Sequence, residues 1–381
     1  MAPSITAYEV SIIKGMLRMG FKPALVQSYF TRPDRLVNPA RIQEIKKNST
    51  ARIEAIPAAT DEEVGYFLDD FYRSSSNPDD YAPPTQEAEV TQFTLGVNGK
   101  LTILSSEADV QLGTPEIQEI YEELRVKALS LGQHGHNILG QLHKDVVRFI
   151  DALPEDPLSA SVVRIFMRGS NLKSKLASYQ ISQENPDLYP LVDLDAAVAP
   201  LIVDLVDSFT LLVNLTPAMA VLEAKASTQE EYVSQGEALE AIQPALEQVE
   251  QVADPEAAEL LDEQLNEGLS ASLDKSGRAQ RSVAFSSVRN FAISIFTPVY
   301  HAARYVFGDD KLPSSLQALR NGAAYAAGNK LYPYLHDRFP AIIEYIRNHA
   351  ESLTTYAEKV VTNQKLQEFI SSMIEVVSNI L

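Results

Sequence analysis

A chain of 381 residues, 45% apolar and 22% charged, is too long for one ordinary core and too apolar to stay disordered, so two or three folded domains are expected. The absence of cysteine excludes disulfide staples, thiolate metal sites and cysteine nucleophiles, and it fits a cytoplasmic protein. A net charge of −19 argues against nucleic-acid binding by the whole surface, because phosphates would be repelled.

The charge is segregated. Residues 1–52 carry nine Lys and Arg against three Asp and Glu, residues 53–275 carry twelve against forty, and residues 276–381 carry eleven against eight. The order is basic, acidic, mildly basic.

The first segment, 1–52, reads as three helices. Thr6 followed by Glu9 is a capping-box pattern, Val10, Ile13 and Leu17 recur at helical spacing, and Gly20 is placed to end the helix. Pro23 suits the first position of a short second helix presenting Leu25, Val26 and Tyr29. After the turn "TRPDRLV", Asn38 is set to cap and Pro39 to start a third helix whose Ile42 and Ile45 face inward.

Residues 53–88 read as a short helix, "DEEVGYFLDDFY", and a Ser/Pro/Asp-rich linker over 74–88. In 89–106 apolar and polar residues alternate on both sides of Asn98-Gly99, the pattern of a β-hairpin, which needs a partner surface to be stable. From Thr114 the periodicity is helical, so the fold class is mainly α, with a helical bundle over 107–225. Its apolar stretch 191–224 is expected at the bundle centre, kinked near Pro200 and Pro217. Residues 226–275 form an acidic helical segment, and 223–274 hold fourteen acidic residues with Lys225 as the only base. That run is expected to be the solvated face of narrow-seamed helices, with Leu261, Leu265, Leu269 and Leu273 forming the packed ridge. The C-terminal region 276–381 is helical and aromatic. Its basic amphipathic start, with Arg278, Arg281 and Arg289 beside Val283, Val288, Phe291 and Phe296, is expected to pack into a core.

The N-terminal unit resembles the helix-turn-helix segments of bacterial and phage DNA-binding proteins. The resemblance covers residues 5–48 only and rests on the Thr6/Glu9 start, the Gly20 break, the short second helix and the basic third helix. It implies that the third helix enters the major groove of double-stranded DNA. With Ile42 and Ile45 buried, Ala40, Gln43, Glu44 and Lys47 point outward as reading positions: Gln43 toward adenine, Glu44 toward a cytosine amino group, Lys47 toward guanine or phosphate. Arg32, Arg35, Asn38, Arg41 and Lys46 flank that face and suit backbone contacts. The seven-residue turn is longer than the motif's usual three or four.

Other constellations are weaker. His134, His136 and His143 lack metal-site spacing, and no metal or cofactor is assigned. Arg289 with His301 and Arg347 with His349 are not placed for paired acid–base work. There is no phosphate-binding glycine loop and no nucleophile elbow, so no catalytic residue is assigned and the chain is not read as an enzyme. The reading is a cytoplasmic, regulatory, sequence-specific DNA-binding protein of a bacterium or phage, without membrane insertion. Its helical body would form homo-oligomers or bind a protein partner. Two other readings fit the same residues: a helical assembly module whose N-terminal unit binds protein, and a membrane-active or nuclease effector with an N-terminal sensing domain.

Overall fold

The computed structural model of the chain describes residues 5–21, 23–30, 37–61, 63–64, 67, 82–104, 109–134, 139–140, 142–184, 197–308, 325–360 and 364–380. The side chains of Leu25, Tyr29 and Arg52, and all of Arg32, Arg35 and His136, lie outside that description. The fold is mainly α with one two-stranded antiparallel hairpin. The chain forms two compact units, Met1–Tyr81 with Ala303–Gly328, and Ala82–Ala302 with Asn329–Leu381.

In the first unit α1 (Ala7–Arg18) opens on the expected capping box. Thr6 Oγ1 accepts from the Glu9 N–H at 3.2 Å, and Glu9 Oε2 accepts from the Thr6 N–H at 2.8 Å. Two orphan donors of the first turn are thereby satisfied. Gly20, at φ +91°, turns the chain into α2 (Pro23–Phe30), and Asn38 caps α3 (Pro39–Lys46) by accepting from the Ala40 N–H. Ile12, Ile13 and Met16 of α1 meet Val26 and Phe30 of α2, with Val37, Ile42 and Ile45, in one buried cluster.

Three helices this short bury too little apolar surface to stand alone. The chain after residue 52 completes the core: α4 (Ala51–Glu54) and the strap behind it add Ile53, Ala59 and Val64 to the same cluster. The strap lies along α1, with the Ala59 N–H donating to Ser11 O and Ser11 Oγ donating to Pro57 O. A Cβ on Gly15 would stand 2.6 Å from Val64 Cγ2 and 2.9 Å from Ala59 O, so glycine permits this approach. The compact unit therefore continues past the expected boundary at 52.

The second unit begins with residues expected to be linker. Residues 82–88 are instead stapled down: the Glu87 carboxylate lies 2.7 Å from Lys225 Nζ and 2.5 Å from Arg289 Nη1, and Asn290 bonds both the N–H and the carbonyl of Glu87. Strands β1 (Gln92–Leu95) and β2 (Leu101–Leu104) pair in the register Phe93↔Ile103 and Leu95↔Leu101. The Gly96 N–H donates to Lys100 O and Gly99 sits at φ +76°, so the hairpin turns through the three residues Val97, Asn98 and Gly99. Its partner surface is the long helix α12, whose Phe291 meets Phe93 edge-on at 5.8 Å and whose Ser294 donates to Phe93 O.

The helices from Pro115 onward, in chain order, are α5 (Pro115–Gly132), α6 (Leu142–Asp151), α7 (Val162–Glu184), α8 (Ala199–Leu215), α9 (Pro217–Ala224), α10 (Gln229–Leu246), α11 (Pro255–Ser270), α12 (Lys275–Phe307), α13 (Tyr325–Arg338), α14 (Pro340–Asn348), α15 (Ala350–Lys359) and α16 (Gln364–Ile380), all in the second unit except the end of α12 after Ala302 and the start of α13 before Asn329. The first five pack α5 on α6 and α8, and α7 on α6, α8 and α9, while α10 pairs with α15 and α15 with α16. Among the described residues the buried axis is α12, not the part of the expected 191–224 stretch that lies within the description, 197–224. Residues of α12 between Ser276 and Ala303 are buried on nearly every side, including Gln280, Ser287 and Asn290. Those polar groups stitch neighbouring elements to the axis, as buried polar side chains must. By contrast α8 and α9, bent by 102° at Thr216, leave Leu201, Leu211, Leu215 and Val221 42–48% exposed. Among the described residues no single helix is long and apolar enough to cross a membrane.

The acidic segment is packed more than its charge suggests. Leu261 and Leu265 are buried as expected, but Leu273 is 49% exposed, because α11 has already ended at Ser270. Two of the arginines expected on the basic face of α12, Arg281 and Arg289, are internal fasteners. Arg281, for example, lies over the Tyr232 ring at 3.6 Å and donates to the carbonyls of Gly268 and Leu269 at the end of α11.

Glu267 is buried beside Arg168, with Nε 2.8 Å away, and the same guanidinium also serves Glu263 at 2.9 Å. Burial, with the Glu263 carboxylate adding to it against the pull of Arg168, pushes the Glu267 carboxyl up to about 7. Between the ordinary value of 4.5 and 7 the folded protein holds a proton that the unfolded chain has lost, so stability falls as pH rises through that window. The loss amounts to about 3 kcal/mol. Urea unfolding of Glu267→Gln should show a much flatter dependence between about pH 5 and pH 8 than the unaltered chain.

Candidate nucleic-acid interface

The third helix is short, and its N-cap and first-turn proline fix where it starts. Ile42 and Ile45 are its buried residues, and Ala40, Arg41, Gln43, Glu44, Lys46 and Lys47 are exposed. At about 100° per residue the outward midline runs through Ala40 and Lys47. Gln43 and then Lys46 lie on one shoulder, Glu44 and then Arg41 on the other. The structure thus brings the four expected reading positions onto one solvent-facing surface.

The shoulders differ in charge. Arg41 Nη1 donates to Glu44 Oε2 at 2.6 Å, so that side presents a closed ion pair where two separate contacts were expected. On the other side Lys46 borders a cleft of about 520 Å³ lined also by Lys14, Arg18, Asn48, Glu54 and Pro57. Two of its cations are already engaged: Lys14 donates to the carbonyls of Ile53 and Ile56 at 2.7 and 2.8 Å, and Arg18 donates to Ala59 O and the Asp61 carboxylate. Lys14 is therefore a clamp on carbonyls at and just beyond the end of α4. Among the described cationic side chains of residues 5–52, Lys46 and Lys47 are the two without a hydrogen-bond or ion-pair partner.

Sequence reasoning missed the strap's share of this cleft. The signal for it was Thr50, which caps α4 by accepting from the Ile53 N–H, followed by the apolar Ile53, Ile56 and Ala59. Of the flanking positions, Asn38 is committed to its cap, and Arg32 and Arg35 fall outside the described residues.

Of the other constellations, the histidine set includes His136, which lies outside the described residues. Among the described residues no three His, Asp or Glu side chains gather as a metal would require. Arg289 is held by Glu87, and His349 is buried against the Tyr345 ring at 4.6 Å, where desolvation lowers its pKa. No family model, curated protein or solved structure matches this chain.

Proposed function

We propose that the protein binds double-stranded DNA through the outward face of α3, with Ala40, Gln43 and Lys47 against base edges and Lys46 on the phosphate backbone beside the cleft. The observation that supports this is the pair of unpartnered lysines on an exposed helix, in a segment whose other described cations are all engaged. A compact cation without an internal partner loses least when it exchanges counterions for phosphates. The adjoining side chains, an amide and a methyl group, match an adenine edge and a thymine methyl in the major groove. One such face makes few contacts. Two copies, brought together by the helical second unit on half-sites about 34 Å apart, are the arrangement that gives useful affinity and a regulatory role.

The test is retention of a random-sequence DNA duplex by the full chain over a salt series. Affinity is expected to fall steeply between about 50 and 200 mM salt, and an RNA duplex of the same sequence should not compete, because the A-form major groove does not admit a helix. No retention at about 50 mM salt would sink the proposal and favour an acidic protein as the partner of the lysine face.

A further inference from the structure

Glu44 is out of place on a surface meant for phosphates, and its position defines what it does. It projects about 50° from the outward midline of α3, between Lys47 and Arg41. Its carboxylate is held 2.6 Å from Arg41 Nη1, both side chains being nearly half exposed. Resting on the DNA reading above, we infer that Glu44 is a specificity filter that makes tight binding conditional on a cytosine amino group.

The argument is electrostatic. In the free protein the pair is neutral and solvated. Against a duplex, Arg41 is drawn to a phosphate, and the Glu44 carboxylate is left facing the groove with its counter-charge withdrawn. Most base edges offer it an acceptor, the O6 and N7 of guanine or the O4 of thymine, and the like polarity opposes docking. The N4 amino group of cytosine is a donor in the major groove and satisfies the carboxylate. The N6 amino group of adenine also donates, but beside the N7 acceptor, an arrangement that suits an amide better than a carboxylate. Glu44 thereby penalises wrong sequences more than it strengthens the right one. Gln43, on the opposite shoulder, has no such penalty because it carries both a donor and an acceptor.

Selection of duplexes from a random pool by the full chain, followed by affinities for the selected duplex and for an unselected one, tests this. Glu44→Ala should raise affinity for the unselected duplex about tenfold, change affinity for the selected duplex by less than about threefold, and erase the C:G preference at one position of the selected site. Glu44→Gln should move that position toward A:T. Arg41→Gln should retain the C:G preference while weakening both duplexes. If Glu44→Ala weakens both duplexes equally, or leaves their ratio and the selected sequence unchanged while the unaltered chain binds DNA, Glu44 is only the partner of Arg41 and the inference is overturned alone. If the unaltered chain retains no duplex, the DNA reading falls and the inference with it.

Discussion

Replacing Gly169 with alanine should destabilise the second unit by about 2–4 kcal/mol, a large share of the 5–15 kcal/mol that ordinary domains possess. Gly169 sits inside α7 where the helix crosses α8, and a Cβ there would stand 2.2–2.5 Å from three ring atoms of Phe209. The ring cannot swing aside: Phe209 is buried, and Phe149 meets it edge-on at 6.0 Å. The two helices must therefore separate, or Phe209 must leave its rotamer. Alanine's better helix propensity returns only about 1 kcal/mol, so the clash wins. Denaturant unfolding of the full chain measures the loss, and Gly169→Ala combined with Phe209→Leu should cost less than the two single losses added together, because the smaller side chain relieves the clash. A Gly169→Ala protein as stable as the original would mean that α7 and α8 do not cross this closely.

That crossing was invisible in the sequence, whereas the helices that make it were not. Local signals carried the reading wherever the deciding contact lies within a few residues: the Thr6/Glu9 capping box, the Asn38-Pro39 start, the Asn98-Gly99 turn and the bend at Pro217. Long-range decisions were lost. Glu87 reads as the end of a polar linker, because nothing near it in the chain announces Lys225 or Arg289. The start of α12 packs into a core as expected, but that it forms the buried axis of its unit, with Arg281 and Arg289 spending their charges on carbonyls and a carboxylate from other elements, was not announced. Composition pointed instead to 191–224, in whose described part Asp204, Asp207 and the exposed leucines keep one side in solvent.

The candidate interface shows the same division. Which side of α3 faces outward followed from Ile42 and Ile45 by periodicity alone. Which of its cations stay free did not. Arg41 and Glu44 are three apart on one helix, a spacing that permits a pair without requiring one. Lys14 and Arg18 find their partners on a strap some forty residues away. Counting positive charges in residues 1–52 therefore overstates what is available to an anion, and Lys46 and Lys47 carry more of the proposed function than the raw count implies.

Neutralising those two lysines together is accordingly the substitution with the largest expected effect on DNA. Each phosphate contact contributes about −0.9 to the slope of log affinity against log salt, so Lys46→Gln with Lys47→Gln should flatten that slope by about 2 and weaken binding at about 100 mM salt by roughly 50-fold. Stability should hardly change, because both side chains are exposed and neither supports the fold through a bond. Arg18→Gln is the matching control. It removes the same charge from the rim of the cleft, but that charge is already compensated by Asp61 and the Ala59 carbonyl, so the salt slope should move by less than about half a contact. If Arg18→Gln flattens the slope as much as either lysine change, the duplex lies across the cleft and displaces Asp61. If neither lysine change moves it, α3 is not the surface that meets DNA, whatever the intact chain retains.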